Sequence, residues 1–206
     1  MRFVGGWQKH TNPHSTSRLF GRIGVEKMEF ISNSQVGQDT FVYEQLVKPT
    51  NYLDGTFLDI GCNMPIQYNN TASLERLGWR GLLVDANLIC VNACLQERKN
   101  PVICADATKV DWPTACKLYS LGTAIDYLSL DVDDTLGAAD SKVLVVLKNL
   151  LDAGFTFRAI TVEHDRYRVG DHARDSMREL LFPSYTLFAA DVSDHGLEFE
   201  DWWIRH

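Results

Sequence analysis

The chain of 206 residues carries a formal net charge of -7 and is 45% apolar and 23% charged, a balance typical of one globular domain. No apolar run approaches the roughly 20 residues of a membrane-spanning helix, and the first residues lack the apolar stretch of a signal peptide. We therefore expect a cytoplasmic protein. A pI near 5.3 argues against a nucleic-acid partner and against docking on an anionic membrane.

The negative charge is concentrated in the second half of the chain. Residues 101–206 carry eighteen acidic and ten basic side chains, a net of -8, whereas residues 1–100 have a net charge of +1. Aspartate is a poor residue in the interior of helices and strands, so the positions of these side chains are informative. The five cysteines lack the spacing of a zinc site, and we expect reduced, packed thiols.

Residues 1–33 show no clear period and are interpreted as an N-terminal extension, and strands and helices alternate in the rest of the chain. Strands are predicted over Thr56–Ile60, Gly81–Val84, Pro101–Ala105, Ile125–Leu130, Phe155–Val162, Tyr185–Ala190 and Leu197–Ile204. Helices are predicted over Gln35–Lys48, Asn70–Leu77, Leu88–Arg98, Asp111–Leu118, Gly137–Leu151 and Ala173–Phe182.

This alternation predicts an α/β fold, a doubly wound, seven-stranded and mostly parallel sheet with helices on both faces. The connection Asp191–Gly196 is too short for a crossover, so the last two strands should form a terminal antiparallel hairpin. The predicted domain spans residues 34–206.

Acidic residues follow each of the first five predicted strands. In open α/β sheets, ligands bind beyond the carboxyl ends of the strands, near the point where the strand order reverses. The side chains at these ends are Asp59, Asp85, Asp106, Asp131 with Asp133, and Glu163 with His164 and Asp165.

The first two of these ends point to a nucleoside ligand. Gly61 allows a tight turn after the first strand, and Asp85 ends the second strand, where a carboxylate can accept both ribose hydroxyls. A dinucleotide site also needs a second and a third glycine, but this chain has Asn63 and Ile66 at those places. A carboxylate at Asp59 would repel a pyrophosphate and suits a sulfonium. The pattern therefore favours S-adenosylmethionine over NAD.

Several motifs, in order along the chain, resemble FkbM-type methyltransferases. They are Ser34-Gln35-Val36-Gly37-Gln38-Asp39, Phe57-Leu58-Asp59-Ile60-Gly61-Cys62-Asn63, Asn70-Thr71-x-x-Leu74-Glu75, Leu77-Gly78-Trp79-Arg80-Gly81-Leu82-Leu83-Val84-Asp85, Leu130-Asp131-Val132-Asp133 and Phe199-Glu200-Asp201-Trp202-Trp203. The resemblance runs from about Ser34 to Ile204. It implies a class I methyltransferase fold, S-adenosylmethionine as cofactor, and methyl transfer to a hydroxyl oxygen of a sugar or small molecule.

The resemblance also implies roles for individual residues, position by position. Asp59, Gly61 and Asn63 would line the methionine part of the cofactor, and Asp85 would hold the ribose with Ala86 beside the adenine. Asp106 and Ala107 would face the adenine amino group, and the segment containing Gln35 would cover the cofactor. The chain departs from the family at Met64-Pro65 and at Asp133-Asp134, which places an inherited substrate in doubt.

Transfer to a hydroxyl benefits from a base or from a divalent ion. The expected catalytic residues are Asp131, Asp133, Glu163 and His164, with His164 or Asp131 as the base. An oxygen-rich cluster of this kind suits Mg²⁺, which we keep as an alternative. Asp134 fits better as the N-cap of the following helix, and His164 is equally compatible with a structural role.

Two other functions remain open at this stage. One is a binding protein of methyltransferase fold that has lost activity, since both departures from the family lie beside the expected pocket. The other is an NAD-dependent oxidoreductase, which the missing glycines and the antiparallel last strand disfavour. The sequence does not define the acceptor or the oligomeric state.

Overall fold

The computed structural model describes residues 30–133 and 141–206, and these form a seven-stranded sheet in the order β3-β2-β1-β4-β5-β7-β6. The strands are β1 (Thr56–Ile60), β2 (Arg80–Asp85), β3 (Val102–Cys104), β4 (Ala124–Leu130), β5 (Thr156–Glu163), β6 (Tyr185–Asp194) and β7 (Leu197–Arg205). The predicted fold class is confirmed. The predicted boundary at residue 34 stays a prediction, because residues 1–29 lie outside the described part.

The sheet changes direction of winding between two central strands. β1 pairs in parallel with β2 on one side and with β4 on the other, and β4 pairs in parallel with β5. The chain therefore builds β1 to β3 outward in one direction, returns to the middle, and builds β4 and β5 in the other. This reversal leaves a crevice beyond the carboxyl ends of β1 and β4, where ligands bind in such sheets.

The terminal hairpin is confirmed as antiparallel, with β7 inserted between β5 and β6. Its predicted six-residue loop is wrong, because β6 continues to Asp194 and only His195 and Gly196 form the turn. Both residues have positive φ, 49° and 82°, as a type I′ turn requires. The register shifts between Ala189 and Val192, where Asp191 has a φ of 51°.

Six of the helices follow the predicted order with different bounds: α1 (Gln38–Val42), α2 (Ala72–Arg76), α3 (Leu88–Glu97), α4 (Trp112–Leu118), α5 (Lys142–Asp152) and α7 (Asp171–Leu181). The short helix α6 (Arg166–Val169) is not predicted. The predicted first helix is half π-helical, since Tyr43–Val47 follows α1 with wider turns. α5 begins later than predicted, because the Ser141 hydroxyl caps it by accepting the Leu144 N–H. Asp134, the expected cap, lies outside the described residues. No helix of the described part is long and apolar enough to cross a membrane.

Apolar side chains form two separate clusters, as expected for a sheet covered on both faces. One cluster contains Trp112, Leu147, Met177 and Trp203 with the strand residues they cover, so it lies under α4, α5 and α7. The other contains Phe41, Leu74, Trp79 and Tyr127, so it lies under α1 and α2. Trp203 is fully buried whereas the Trp202 ring stacks on Phe41, which confirms that the two tryptophans face opposite sides.

A buried arginine fixes the loop between β1 and α2. The Arg98 side chain is 1% exposed and pairs with Glu75 at 3.2 Å. It also donates to Asn69 Oδ1 and Thr71 Oγ1, both at 2.9 Å, and to the Pro65 carbonyl at 3.3 Å. One guanidinium therefore holds the loop that follows the first strand.

We expect Arg98→Ala to lower the free energy of unfolding by about 3–5 kcal/mol, because Glu75 loses its cation while Asn69 Oδ1, Thr71 Oγ1 and the Pro65 carbonyl each lose a hydrogen bond. Urea denaturation measures this change. Lys99→Ala is the matched control, since Lys99 is exposed and contacts Glu75 only through its backbone N–H. Equal effects of the two substitutions would contradict the prediction.

Candidate functional site

A cavity of about 440 Å³ opens beyond the carboxyl ends of β1, β2, β3 and β4, within the size range of small-molecule sites. Its lining residues come from the loops that follow these four strands and from the starts of α3 and α5. They are Gly61, Asn63, Val84, Asp85, Ala86, Asn87, Cys90, Ala105, Asp106, Ala107, Asp131, Val132, Asp133 and Lys142. The cavity occupies the crevice that the strand order creates.

Gly61 allows two loops to meet at the base of this cavity. It has a φ of +84°, and its N–H donates to the Val84 carbonyl at 2.8 Å. A Cβ at this position would lie 1.5 Å from the carbonyl oxygen of Asp131. Only glycine can therefore occupy the turn without moving β1 away from β4.

Asp85 links the turn after β1 to the start of α3. Its Oδ2 accepts the Asn63 N–H at 2.8 Å, and its Oδ1 accepts the Asn87 N–H at 2.7 Å. Asn87 in turn caps α3 by accepting the Ile89 N–H. An ionised carboxylate has about four acceptor sites, so each oxygen of Asp85 retains room for one hydroxyl donor.

Asp106 presents a fixed negative charge at the β3 side of the cavity. Its carboxylate accepts from the hydroxyl and the N–H of Thr108 and pairs with Lys109 at 2.9 Å. The Thr108 and Lys109 hydrogen bonds lower the pKa of Asp106 to about 2, so it is an acceptor at any physiological pH. Ala86 and Ala107 line the same part of the cavity.

Two further carboxylates lie at the β4 end. Asp131 is exposed at the cavity that it lines, and the protein beside its carboxyl group raises its pKa by desolvation. Glu163 lies beside it, because the two residues directly follow Leu130 and Val162, the last residues that pair between β4 and β5. Asp133 is exposed, and its Oδ1 accepts from Arg168 at 3.3 Å. This end therefore offers the cavity a carboxyl group that can take up a proton.

Four of the predicted site residues do not line the cavity: Gln35, Asp59, Glu163 and His164. Gln35 is exposed, and its amide donates to Asp194 on β6. Asp59 is 2% exposed and accepts from Thr71 Oγ1 at 2.6 Å at the start of α2. Burial raises the pKa of Asp59, against the influence of Arg98. Its contacts are those of a residue that supports the loop after β1.

His164 belongs to a buried ionic cluster behind the cavity. Its Nδ1 accepts the Arg166 N–H at 3.2 Å, so the proton of the neutral ring is on Nε2. Nε2 points towards Asp201 and Asp191, at 3.6 and 3.7 Å, without forming a hydrogen bond. The structure therefore brings together Asp131, Glu163 and Asp133 but not His164, and it favours the structural alternative for this histidine.

In the same cluster, His164, Asp191 and Asp201 lie close enough together to hold a metal ion. Its chemistry does not suit a cation. Arg178 donates two hydrogen bonds to Asp201 and pairs with Asp191. Ligation through His164 Nε2 would place the ring proton on Nδ1, where it would break the hydrogen bond from the Arg166 N–H. The carboxylates expected to hold Mg²⁺ do not form such a group among the described residues, so the structure does not support Mg²⁺.

Two lining residues with titratable side chains, Cys90 and Lys142, are absent from the sequence-based site. Cys90 follows Asn87 by three residues on α3, and this helical spacing is the signal that places it on the same face. Lys142 begins α5, and its Nζ donates to the Asp133 carbonyl at 3.0 Å. No local motif distinguishes Lys142, because its position depends on where α5 begins.

The residues present fit S-adenosylmethionine. Asp85 has free acceptor sites for ribose hydroxyls, and Asp106 offers a charged acceptor to an amino group. The cavity is rimmed by carboxylates, which suits a sulfonium and disfavours a pyrophosphate. Asp59 contributes to this fit only indirectly, through the loop that it supports.

Comparisons with solved structures agree with this fold. No family model matches the chain, and no curated protein matches it in sequence. A TehB-like S-adenosylmethionine-dependent methyltransferase from Corynebacterium glutamicum superposes with a TM-score of 0.57 at 13% identity, over 84% of this chain and 89% of that one. Magnesium protoporphyrin IX methyltransferase from Synechocystis, solved with bound S-adenosylmethionine, gives 0.56 at 14% identity, over 83% and 81%.

A putative rRNA methylase from Clostridium thermocellum gives a TM-score of 0.55 at 12% identity, over 85% of this chain and 96% of that one. Identities this low establish the fold alone. The structural neighbours are class I S-adenosylmethionine-dependent methyltransferases, and their acceptors range from a porphyrin to RNA. The fold is therefore that of this class, and membership of the FkbM family stays a prediction.

We expect Gly61→Ala to lower the free energy of unfolding more than Gly154→Ala, by an additional 1–3 kcal/mol or so, because the new methyl group would overlap the Asp131 carbonyl. Gly154 is the matched control: its φ is +82°, and nothing lies within 4 Å of the added Cβ. Chemical denaturation of both variants separates the overlap from the cost of a positive φ. Equal losses would show that the loops can move apart freely.

Proposed function

We propose that this protein is an S-adenosylmethionine-dependent methyltransferase that methylates a hydroxyl group of a small molecule or sugar. The observation that carries the proposal is the cavity at the reversal point of the sheet, which joins the Gly61 turn, Asp85, Asp106 and Asp131 in one site. Its position and its hydrogen-bond acceptors match what the cofactor needs. The FkbM-type motifs around the same residues support the hydroxyl acceptor.

Three parts of the cavity bind different parts of the cofactor in this proposal. Asp85 would bind the ribose hydroxyls, Asp106 the adenine amino group, and the turn from Gly61 to Asn63 the methionine part. The cofactor, when bound, supplies an electrophilic methyl group on a sulfonium. The protein contributes mainly alignment, since it must hold the acceptor oxygen in line with that methyl group.

Asp131 is the proposed proton acceptor. The acceptor oxygen forms the new C–O bond, the electron pair of the C–S bond goes to sulfur, and the hydroxyl proton goes to the Asp131 carboxylate. Its position at the cavity and its raised pKa support this role, because a stronger base removes the proton more readily. The step needs no divalent ion, and His164 is not part of it.

Charge favours a small acceptor over RNA, although a structural neighbour is a putative rRNA methylase. The arginines nearest the β5 end are already paired within the chain: Arg166 with Asp171 and Glu198, and Arg168 with Asp133 and Asp165. Phosphate groups would have to compete with these carboxylates. An uncharged hydroxyl compound meets no such obstacle.

S-adenosylhomocysteine should raise the thermal midpoint of the protein, whereas NAD should leave it unchanged, because only a ligand that binds the native state stabilises it. We expect Asp85→Asn to weaken S-adenosylhomocysteine binding at least tenfold, about 1.4 kcal/mol, in isothermal titration. Asp111→Asn, at the exposed cap of α4, is the control. Stabilisation by NAD alone would favour the oxidoreductase, and no response to either ligand would refute the proposal.

Asp131→Asn should lower kcat by about 10² to 10⁴-fold, because the amide cannot accept the acceptor's proton. The measurement is the release of S-adenosylhomocysteine with a panel of hydroxyl acceptors, at unchanged affinity for S-adenosylhomocysteine. Asp152→Asn, at the exposed end of α5, should keep wild-type kcat. Cofactor binding without turnover on any acceptor would favour the inactive binding protein instead.

A further inference from the structure

A second glutamate lies beside the candidate site, buried and outside the proposed mechanism. Glu200 on β7 is 2% exposed. The antiparallel register of β5 and β7 pairs it directly with Glu163. Side chains directly opposite each other leave the same face of a sheet, with Cβ atoms about 4.5–5.5 Å apart, and two like charges in this arrangement repel.

The polar contacts of Glu200 all involve neutral groups. Gln38 Nε2 on α1 donates to Glu200 Oε2 at 2.8 Å, and Trp202 Nε1 donates to the same oxygen at 3.1 Å. Both donors go to Oε2, which leaves Oε1 as the oxygen that can carry a proton. Among the described residues, none of the ion pairs involves Glu200, unlike Asp201 beside it, which Arg178 contacts with two hydrogen bonds.

Glu200 is therefore the inner end of a row of carboxyl groups. Glu163 stands opposite Glu200. On its other side lies Asp131, which lines the cavity, because Asp131 and Glu163 directly follow the paired residues Leu130 and Val162. The row crosses the ends of three neighbouring strands, β7, β5 and β4. Three carboxyl groups at this spacing oppose one another's ionisation, so the row retains protons to a higher pH than isolated carboxyl groups do.

We propose that the carboxyl groups of Glu200, Glu163 and Asp131 share protons as one chain. In this chain Glu200 is a positioning residue, because its ionisation state determines how strong a base Asp131 is. The role of this chain in catalysis rests on the proposed function, whereas its titration does not. Burial raises the pKa of Glu200 to about 8. Burial also raises the pKa of Glu163, and the neighbouring Asp131 carboxylate raises it further.

The other groups that surround the chain are mostly acidic or neutral. The charged and titratable ones are Asp59 on β1, Asp85 after β2, Tyr127 on β4, Asp133 after β4, Lys142 at the start of α5, Asp165 before α6, and Tyr167 with Arg168 on α6. Lys142 donates to the Asp133 carbonyl, and Arg168 pairs with the carboxylates of Asp133 and Asp165. Most of the charge beside the chain is therefore negative, which opposes ionisation of its members.

Such a chain would serve the transfer proposed above. When the acceptor's proton reaches Asp131, that carboxylate becomes a neutral carboxyl group, and the proton can pass on to Glu163 or Glu200 if either is ionised, without leaving the site. An ionised Glu200 would make Asp131 a stronger base, and a protonated Glu200 a weaker one, since like charges oppose ionisation of their neighbours. Glu200 would thus adjust the base without touching the substrate.

The test is a carboxyl titration by NMR of the full chain labelled with ¹³C at the glutamate side-chain carboxyl. In the wild type, the Glu163 and Glu200 signals should titrate well above the ordinary glutamate value of about 4.3. In Glu200→Gln, the Glu163 midpoint should fall by about one pH unit or more, because a neutral amide replaces a like charge. In Glu163→Gln, the Glu200 midpoint should fall in the same way, since coupling is reciprocal.

Glu198→Gln is the matched control, because Glu198 lies on the same strand but pairs with Arg166. It should leave both midpoints within a few tenths of a unit. Wild-type midpoints near the ordinary glutamate value would overturn the proposal, and so would a Glu163 midpoint that does not change in Glu200→Gln. If neither variant folds, the wild-type titration alone decides. S-adenosylhomocysteine binding is measured on the same samples: coupled titration without binding would refute the proposed function and leave the carboxyl chain standing.

Discussion

The close approach of two strand ends is the constraint on which the site depends. The Gly61 turn packs so tightly on the Asp131 carbonyl that no side chain fits between them. This contact closes the base of the cavity, and it fixes Asp131 relative to Asn63 and Asp85. Because the Asp131 N–H also donates to the Ile60 carbonyl, β1 and β4 remain paired up to the last residue before the site. Backbone geometry rather than any one side chain therefore determines how Asp131 lies relative to Asn63 and Asp85 across the cavity.

A buried polar layer beside the sheet supports this contact. Asp59 accepts from Thr71, Arg98 donates to Thr71 and Asn69, and Asn70 donates to Ser129 on β4. Buried polar groups of this kind cost stability unless each finds a partner, and here most do. The layer connects the loop after β1 to three other elements. It explains why Asp59 can matter to the site without reaching the cavity.

Much of the fold could be predicted from the sequence, because it depends on local patterns. The strand Thr56–Ile60 is predicted with its observed bounds, and the short connection between the last strands correctly indicates a hairpin. The site was predictable as far as strand ends define it, as for Asp85, Asp106 and Asp131. His164 and Glu200 show what the sequence alone could not predict. The burial of His164 and the pairing of Glu200 with Glu163 depend on the register of β5 with β7, two strands that are distant in sequence.

The acidic excess of the second half has more than one physical role. Asp201 is paired with Arg178, which holds its pKa low although burial opposes this, so Asp201 stabilises the fold at neutral pH. None of the ion pairs in the described part of the chain involves Glu163 or Glu200, and their pKa values are raised instead. A carboxyl whose folded pKa is raised favours folding at low pH and loses that contribution as the pH rises through its folded pKa, for Glu200 near 8. The fold thus retains two glutamates that lower its stability in alkaline solution. Groups with shifted pKa values are common at functional sites, and these two lie beside Asp131, the proposed proton acceptor.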